Sequence, residues 1–398
     1  MSIKKINVVF YEPYPMGLGG NYLTQRLILD RIDSNKFTPI VLSPIDGAAL
    51  DKYRDIGVEC VVITPSERLN QYGKKALNDN IFYRALSAFD LVLYNLKLRK
   101  FLKEREIDII YTNCVRAQLS IGFAAIFANI PTFLYVKGVL SNPLIDRLCY
   151  FMTDKILFFC EQNRDDQYPI LTRFFSKKIG ILRIGLDANL INQVKGQNNH
   201  ALRKELDIKS DCLNTAIVAQ LYPPKGQHFV IEAMSKLIRK HPNIRLYILG
   251  DHVIDEYASY KDTLIDLVEK YNLTNNVFFT GWRSDTLRIV NLMDIVIHPS
   301  LAEGFGRAVL ESMALGKPVI ASAVGGLREA IQDGENGYLV SPGDVDAITT
   351  HWSALISDQS LRKQLGKNAK QTVFTNYLID DKVDKLSKIW ASMVKRSN

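Results

Sequence analysis

Residues Asp294 to Gly316 read DIVIHPSLAEGFGRAVLESMALG, and the fold follows from how this stretch must bend. The apolar run Ile295 to Ile297 reads as a buried strand. Gly304 and Gly306 free the backbone for a sharp turn, and Ala308 to Leu315 is helix-forming until Gly316 caps it and Pro318 forbids continuation. The pattern predicts a helix starting near Arg307, with Glu303 in the loop before it and Glu311 in its first turn. The first N–H groups of such a helix, from about Gly306 through Arg307 and Ala308 to Val309, lack intrahelical acceptors and carry the positive end of the dipole, so they face any anion in the turn.

Two carboxylates at an anion-binding turn repel the ligand unless they bind something else, and hydroxyl groups supply that something. Glu311, its Cβ tilted toward the helix start, can accept hydrogen bonds from a vicinal diol such as a ribose, and Glu303 can do the same for a hexose. A competing reading makes Glu311 only a favourable first-turn charge, worth about 0.3–1 kcal/mol. The flanks repeat the strand, turn and helix logic. KPVIASAVGGLREAIQDGENGYLVSPGDV, from Lys317 to Val345, opens another helix behind Gly325 and Gly326. VAQLYPPKGQHFVIEA, from Val218 to Ala233, is a strand ending in a Pro-Pro turn with Lys225 and Gly226 at a helix start.

The paired glutamates around EGFG, PVIAS, VGG and the lysine-glycine after the first strand of this half resemble the marks of the retaining glycosyltransferases of family four, in the same order from about residue 214 to 345. The resemblance implies an α/β protein of the GT-B fold, with two doubly wound Rossmann-like domains, an interdomain cleft and a C-terminal crossover helix. It divides the chain into an acceptor-binding domain at 1–187, a nucleotide-sugar domain at 188–378, and a helix at 379–398 that returns to the first domain. The implied reaction moves a hexose-type sugar, with retention, from a nucleotide diphosphate donor to a saccharide or polyprenyl-linked acceptor, as in cell-surface polysaccharide synthesis. No nucleophilic carboxylate is evident, so the resemblance implies front-face attack in which the departing phosphate takes the acceptor's proton. Two other classes stay open: a nucleotide-sugar epimerase or hydrolase on the same fold, and a non-catalytic GT-B subunit.

Residue by residue, Lys225 is the expected cation on the diphosphate and, with Glu303, the expected catalytic pair. Gly304, Phe305, Gly306, Arg307, Ala308, Val309 and Glu311 form the expected donor loop and helix start. Gly19 and Gly20, in the turn PYPMGLGGN after the first strand, are placed by the resemblance opposite the diphosphate; their spacing fits a dinucleotide fingerprint poorly. Gln220 stands where the family commonly has a diphosphate-gripping arginine, and Tyr135 where it often has a histidine. Lys137, Arg283 and Arg307 are candidate replacements for the missing charge.

Composition sets the bounds. The 398 residues, 47% hydrophobic and 23% charged, suit two ordinary globular domains. No apolar stretch approaches the ~18 residues that span a bilayer. Met1 to Pro15 has neither the apolar length nor the cleavage site of a secretion signal, so a cytoplasmic location is expected. Cys60, Cys114, Cys149, Cys160 and Cys212 show no disulfide or zinc spacing. No metal or other cofactor is expected beyond the co-substrate: the one Asp-x-Asp, Asp344 to Asp346, reads as a helix cap with a first-turn charge, and His298 as a packing residue. Residues 1–186 hold 25 Lys and Arg against 18 Asp and Glu, a net of +7 of the chain's +8. Lys97 to Arg105, KLRKFLKER, is the densest basic helix, which suits a membrane surface or lipid phosphate; without any recognised motif, nucleic acid is not expected as a partner.

Overall fold

In the computed structural model, residues 4–70, 81–137, 143–166, 173–252 and 257–397 are described. Apolar runs of strand length alternate with helices, the arrangement that gives parallel sheets covered on both faces. The chain divides into two units, Met1–Gly185 with Ile379–Asn398, and Leu186–Leu378.

The first unit holds seven parallel strands, β1 Ile6–Tyr11, β2 Phe37–Ser43, β3 Glu59–Val62, β4 Ile109–Thr112, β5 Thr132–Val136, β6 Lys155–Phe158 and β7 Ile179–Ile181, in the order 3-2-1-4-5-6-7. Its central strands are buried almost throughout. The helix Ile379–Ser397 belongs to this unit and drives Trp390 into the sheet, where the indole meets Phe10, Phe37, Tyr111 and Phe133 edge-on at 5.7–6.2 Å. Such edge-to-face contacts add to the burial of a large ring.

The second unit holds six parallel strands, β8 Leu213–Val218, β9 Ile244–Leu249, β10 Val277–Gly281, β11 Ile295–His298, β12 Val319–Ser322 and β13 Tyr338–Val340, in the order 10-9-8-11-12-13. The chain winds one way from β8 to β10 and the other way from β11 to β13. Neighbouring connections therefore part at β8 and β11, the switch point outside whose carboxyl ends sheets of this kind bind their ligands. Lys225 lies in the loop after β8, and Glu303 in the loop after β11.

Three expectations change. By composition the polar run from Gln193 to His200, QVKGQNNH, reads as a linker, but Ala188–Lys195 is a helix, capped by Asp187 through the Asn189 N–H at 2.9 Å, and a second helix starts at His200. Ile191 and Val194, three apart, bury that helix despite its polar composition. The boundary falls at Gly185/Leu186 rather than after Asp187, because the Leu186 N–H bonds the Tyr377 carbonyl at 2.8 Å within the second unit. The short edge strands β7 and β13, of three residues each, were not anticipated; each is too brief to show a period.

Candidate active site

Two loops are stitched together where β8 and β11 end. Pro223–Lys225 forms a single 3-10 turn, and Gly226 follows at φ +73°, where any Cβ would lie 2.3 Å from the Pro299 carbonyl oxygen. Only glycine permits that approach. The Leu301 N–H then donates to the Pro224 carbonyl at 2.8 Å, and the buried Gln227 side chain donates to the Gln220 carbonyl at 2.8 Å. The result sets Lys225 Nζ against Glu303 Oε1 in an ion pair.

Three donors converge on that one carboxylate oxygen. Besides Lys225, His298 Nε2 lies 2.7 Å from Oε1 and Ser300 Oγ donates to it at 3.0 Å, with 3.2 Å between serine and histidine. Among the described residues Oε2 accepts no hydrogen bond. The carboxylate is thus anchored by one oxygen and able to accept from a ligand with the other. Burial alone would push its pKa up, but His298 and Lys225 together hold it down at about 2, so it stays ionised. His298 and Ser300 are residues of this cluster that sequence reasoning missed. Their signal was present: two polar side chains at and just beyond the end of an otherwise apolar strand.

The loop carrying Glu303 rests on the second glycine pair. Gly325, at φ +52°, would put a Cβ 2.2 Å from the Glu303 carbonyl oxygen, and the Gly326 N–H donates to the Gly304 carbonyl at 2.9 Å. A Cβ on Gly326 would strike the Phe305 ring at 2.3 Å. Phe305 itself is buried and lies edge-on to Tyr377 at 5.5 Å, so its side chain is core and only its backbone remains for ligand binding. Gly325→Ala is expected to cost about 1–3 kcal/mol of strain, hence several degrees in Tm, and to weaken binding of the nucleotide-sugar, though not of the bare nucleoside diphosphate, by shifting Glu303. Gly19→Ala should do neither, because no atom lies within 4 Å of a Cβ there and its φ is −77°. Thermal unfolding and calorimetry on both variants check this.

The helix after the loop spans Arg307–Ala314, with Gly306 as its N-cap. Its first turn holds no acid: Glu311 is its fifth residue, one turn later than expected. The backward tilt of helical side chains nonetheless brings Glu311 Oε1 to Arg307 Nε at 3.0 Å. Burial raises the Glu311 pKa against the opposing Arg307 charge. Val309 and Leu310 return their N–H groups to the Gly306 carbonyl at 3.0 and 3.2 Å, so Val309 drops out of the expected anion-facing set. Among the described residues, the amides of Gly306, Arg307 and Ala308 have no acceptor, and the buried Arg307 Nη1 has none either. Four donors are therefore uncommitted at this helix start.

The remaining candidates divide. Arg283 is held by Asp285 at 2.8 Å and by Glu205, which neutralises it. Gln220 is exposed. Lys137, Gly19, Gly20 and Tyr135 belong to the first unit. There Gly19 precedes the helix Gly20–Arg31, Lys137 Nζ donates to the Asn21 carbonyl at 3.4 Å, and the buried Tyr135 hydroxyl donates to the Leu182 carbonyl. Asp344 caps the helix Val345–Ser357 through the Ala347 N–H, and Asp346 pairs with Lys236 at 2.8 Å.

Residues 198–372 match the family described as glycosyl transferases group 1. The capsular polysaccharide biosynthesis glycosyltransferase CapM of Staphylococcus aureus is 25% identical over 349 residues, 85% of this chain and 90% of that protein. The Escherichia coli UDP-Gal:alpha-D-GlcNAc-diphosphoundecaprenol alpha-1,3-galactosyltransferase is 23% identical over 75% of this chain and 79% of its own length. Other relatives, at 30–34% identity, are matched over only about half their length. The structure of HepE from Anabaena, solved in complex with UDP and glucose, superposes with a TM-score of 0.79 at 20% identity, covering 97% of this chain and all of that one. Residues 198–372 are thus similar to the glycosyl transferases group 1, and the two parallel sheets form the GT-B fold.

Proposed function

We propose that this protein is a retaining, metal-independent glycosyltransferase that moves a hexose-type sugar from a nucleoside diphosphate donor to a saccharide or lipid-linked acceptor in cell-surface polysaccharide synthesis. The observation that carries the reading is the ionised Glu303 carboxylate, pinned by Lys225, His298 and Ser300 through one oxygen, in the loop that leads into the uncommitted amides of Gly306 to Ala308. Sugar hydroxyls suit Glu303 Oε2, phosphate oxygens suit the helix start and Lys225, and a ribose diol suits Glu311. The names of CapM and the E. coli galactosyltransferase support the polysaccharide and lipid-linked acceptor, and the HepE complex makes UDP the first nucleotide to try.

In the proposed step the bond between the anomeric carbon and the diphosphate oxygen breaks, the acceptor oxygen bonds the same face of that carbon, and the acceptor proton passes to the departing phosphate oxygen. Glu303 is a poor nucleophile for the double-displacement alternative, since three donors and a pKa of about 2 hold its electrons. Charge on the leaving group falls to Lys225 and Arg307, because Gln220 carries none.

A thermal-shift series of nucleoside diphosphates and their sugars tests the reading. A ligand at 100 times its Kd adds ~2.7 kcal/mol and should raise Tm by several degrees. UDP or UDP-sugars are expected to give that shift, unchanged by EDTA; a flat response to every nucleotide would overturn the proposal.

A further inference from the structure

The helix Ile81–Glu104 of the first unit has two unlike faces. On the inner one, Tyr94, Leu98 and Leu102 are buried in the core, and Asn95 Oδ1 accepts the Ala124 N–H at 2.8 Å from the neighbouring helix Val115–Ala128. On the outer one, Phe89, Val92, Leu93 and Leu96 are between 44% and 59% exposed. Spacings of three, one and three residues gather these four into one arc, where an ordinary solvated face carries polar groups. Beside them, Ile126 and Phe127, 53% and 63% exposed, end the neighbouring helix, which Arg99 Nε ties in by donating to the Phe127 carbonyl at 3.0 Å.

The same arc turns cationic as the helix continues. Lys100 and Lys103 follow the apolar residues on that face, with Lys97 and Arg99 on its flanks, and all three lysines are exposed. The acid on this arc is Glu104, which is paired with Lys100 at 3.7 Å and is itself exposed. Asp90, at the edge, is taken by Ser66 at 2.7 Å and Arg68 at 3.5 Å.

We propose that this face docks on the surface of an anionic lipid bilayer, the apolar side chains entering the headgroup boundary and the lysines meeting lipid phosphates. Charge selects this occupant. In a symmetric pair of copies, parallel helices would set the lysine ends against each other, and antiparallel helices would set lysines against the apolar residues. A nucleic acid would match the lysines but leave four apolar side chains in water. The proposal does not rest on the donor-site reading.

The test uses the full chain and sedimentation with phosphatidylcholine vesicles, with and without added phosphatidylglycerol. Binding is expected only with phosphatidylglycerol, weakening as salt is raised. At about tenfold for two partly buried apolar side chains and about thirtyfold for two lysines, Phe89→Ser with Leu96→Ser and Lys97→Gln with Lys100→Gln should each cut the partition. Both double variants should keep the wild-type Tm and nucleotide-induced shift, since the altered side chains are exposed. The proposal is overturned if phosphatidylglycerol vesicles leave the protein in the supernatant at low salt, or if plain phosphatidylcholine binds it equally. A dimer in ultracentrifugation that Leu96→Ser dissolves would overturn it as well, by showing that a second copy covers the face.

Discussion

Replacing Lys225 by alanine is expected to lower nucleoside diphosphate release by about 10²–10³-fold with a competent acceptor present, the usual loss when one electrostatic donor to a developing anion is removed. The family's arginine position holds the uncharged Gln220, and Arg283 is taken by two carboxylates, Asp285 and Glu205, whereas Lys225 and Arg307 beside the donor loop are each paired with one. Lys225 is paired with Glu303, so the same substitution also removes one of the carboxylate's three donors. His298 and Ser300 remain on Oε1, and the Tm should fall by only a few degrees. Turnover and stability are thus separable in this variant. Gln220→Arg should hold or raise activity, because that side chain is exposed and only its backbone carbonyl is in use. Full activity in Lys225→Ala, or loss of wild-type activity in EDTA, would show that another cation or a metal stabilises the leaving group.

Glu303→Ala and Glu311→Ala are expected to fail differently. Removing Glu311 should weaken binding of the bare nucleoside diphosphate by ~1–3 kcal/mol, about 5- to 150-fold, because a ribose hydroxyl loses its acceptor. Removing Glu303 should leave that affinity within a few fold and instead depress turnover and sugar discrimination, since its open oxygen faces the sugar in the proposed complex. Calorimetry with the nucleotide alone separates the two, and equal losses would contradict the assigned roles. Glu303 also gives a pH signature. Its folded pKa of about 2 lies below the usual 4.5, so its stabilising contribution is full above about pH 4.5 and is lost as pH falls toward 2. Acid unfolding of the wild type should be steeper through that window than that of Glu303→Ala; identical slopes would mean the carboxylate is not held ionised.

Much was legible from local pattern alone. The strand Ile295–His298, the start of the helix at Arg307, its end before Gly316, and the capping role of Asp344 are each marked by residues near in sequence. Apolar runs and glycine positions report them directly. So does the proximity of a glycine-rich turn to a helix start.

The geometry of the candidate site depends on contacts between distant residues, and composition is silent about them. Lys225 and Glu303 stand 78 positions apart, and their pairing needs β8 beside β11 and a glycine at 226 that lets Pro299 approach. Gly325 is required because the Glu303 backbone lies against it, which makes VGG a seat for EGFG. Arg283 looked like a candidate cation until Asp285 and, from a distant helix, Glu205 closed on it. His298 looked like packing until the returning loop brought a carboxylate to its ring. The sequence by itself therefore determined which residue types line the crevice and in what order along the chain, because strand and helix periods are local. Tertiary structure alone decided which charges are spent on one another and which donors stay uncommitted, because Coulomb and hydrogen-bond energies depend on distance in space.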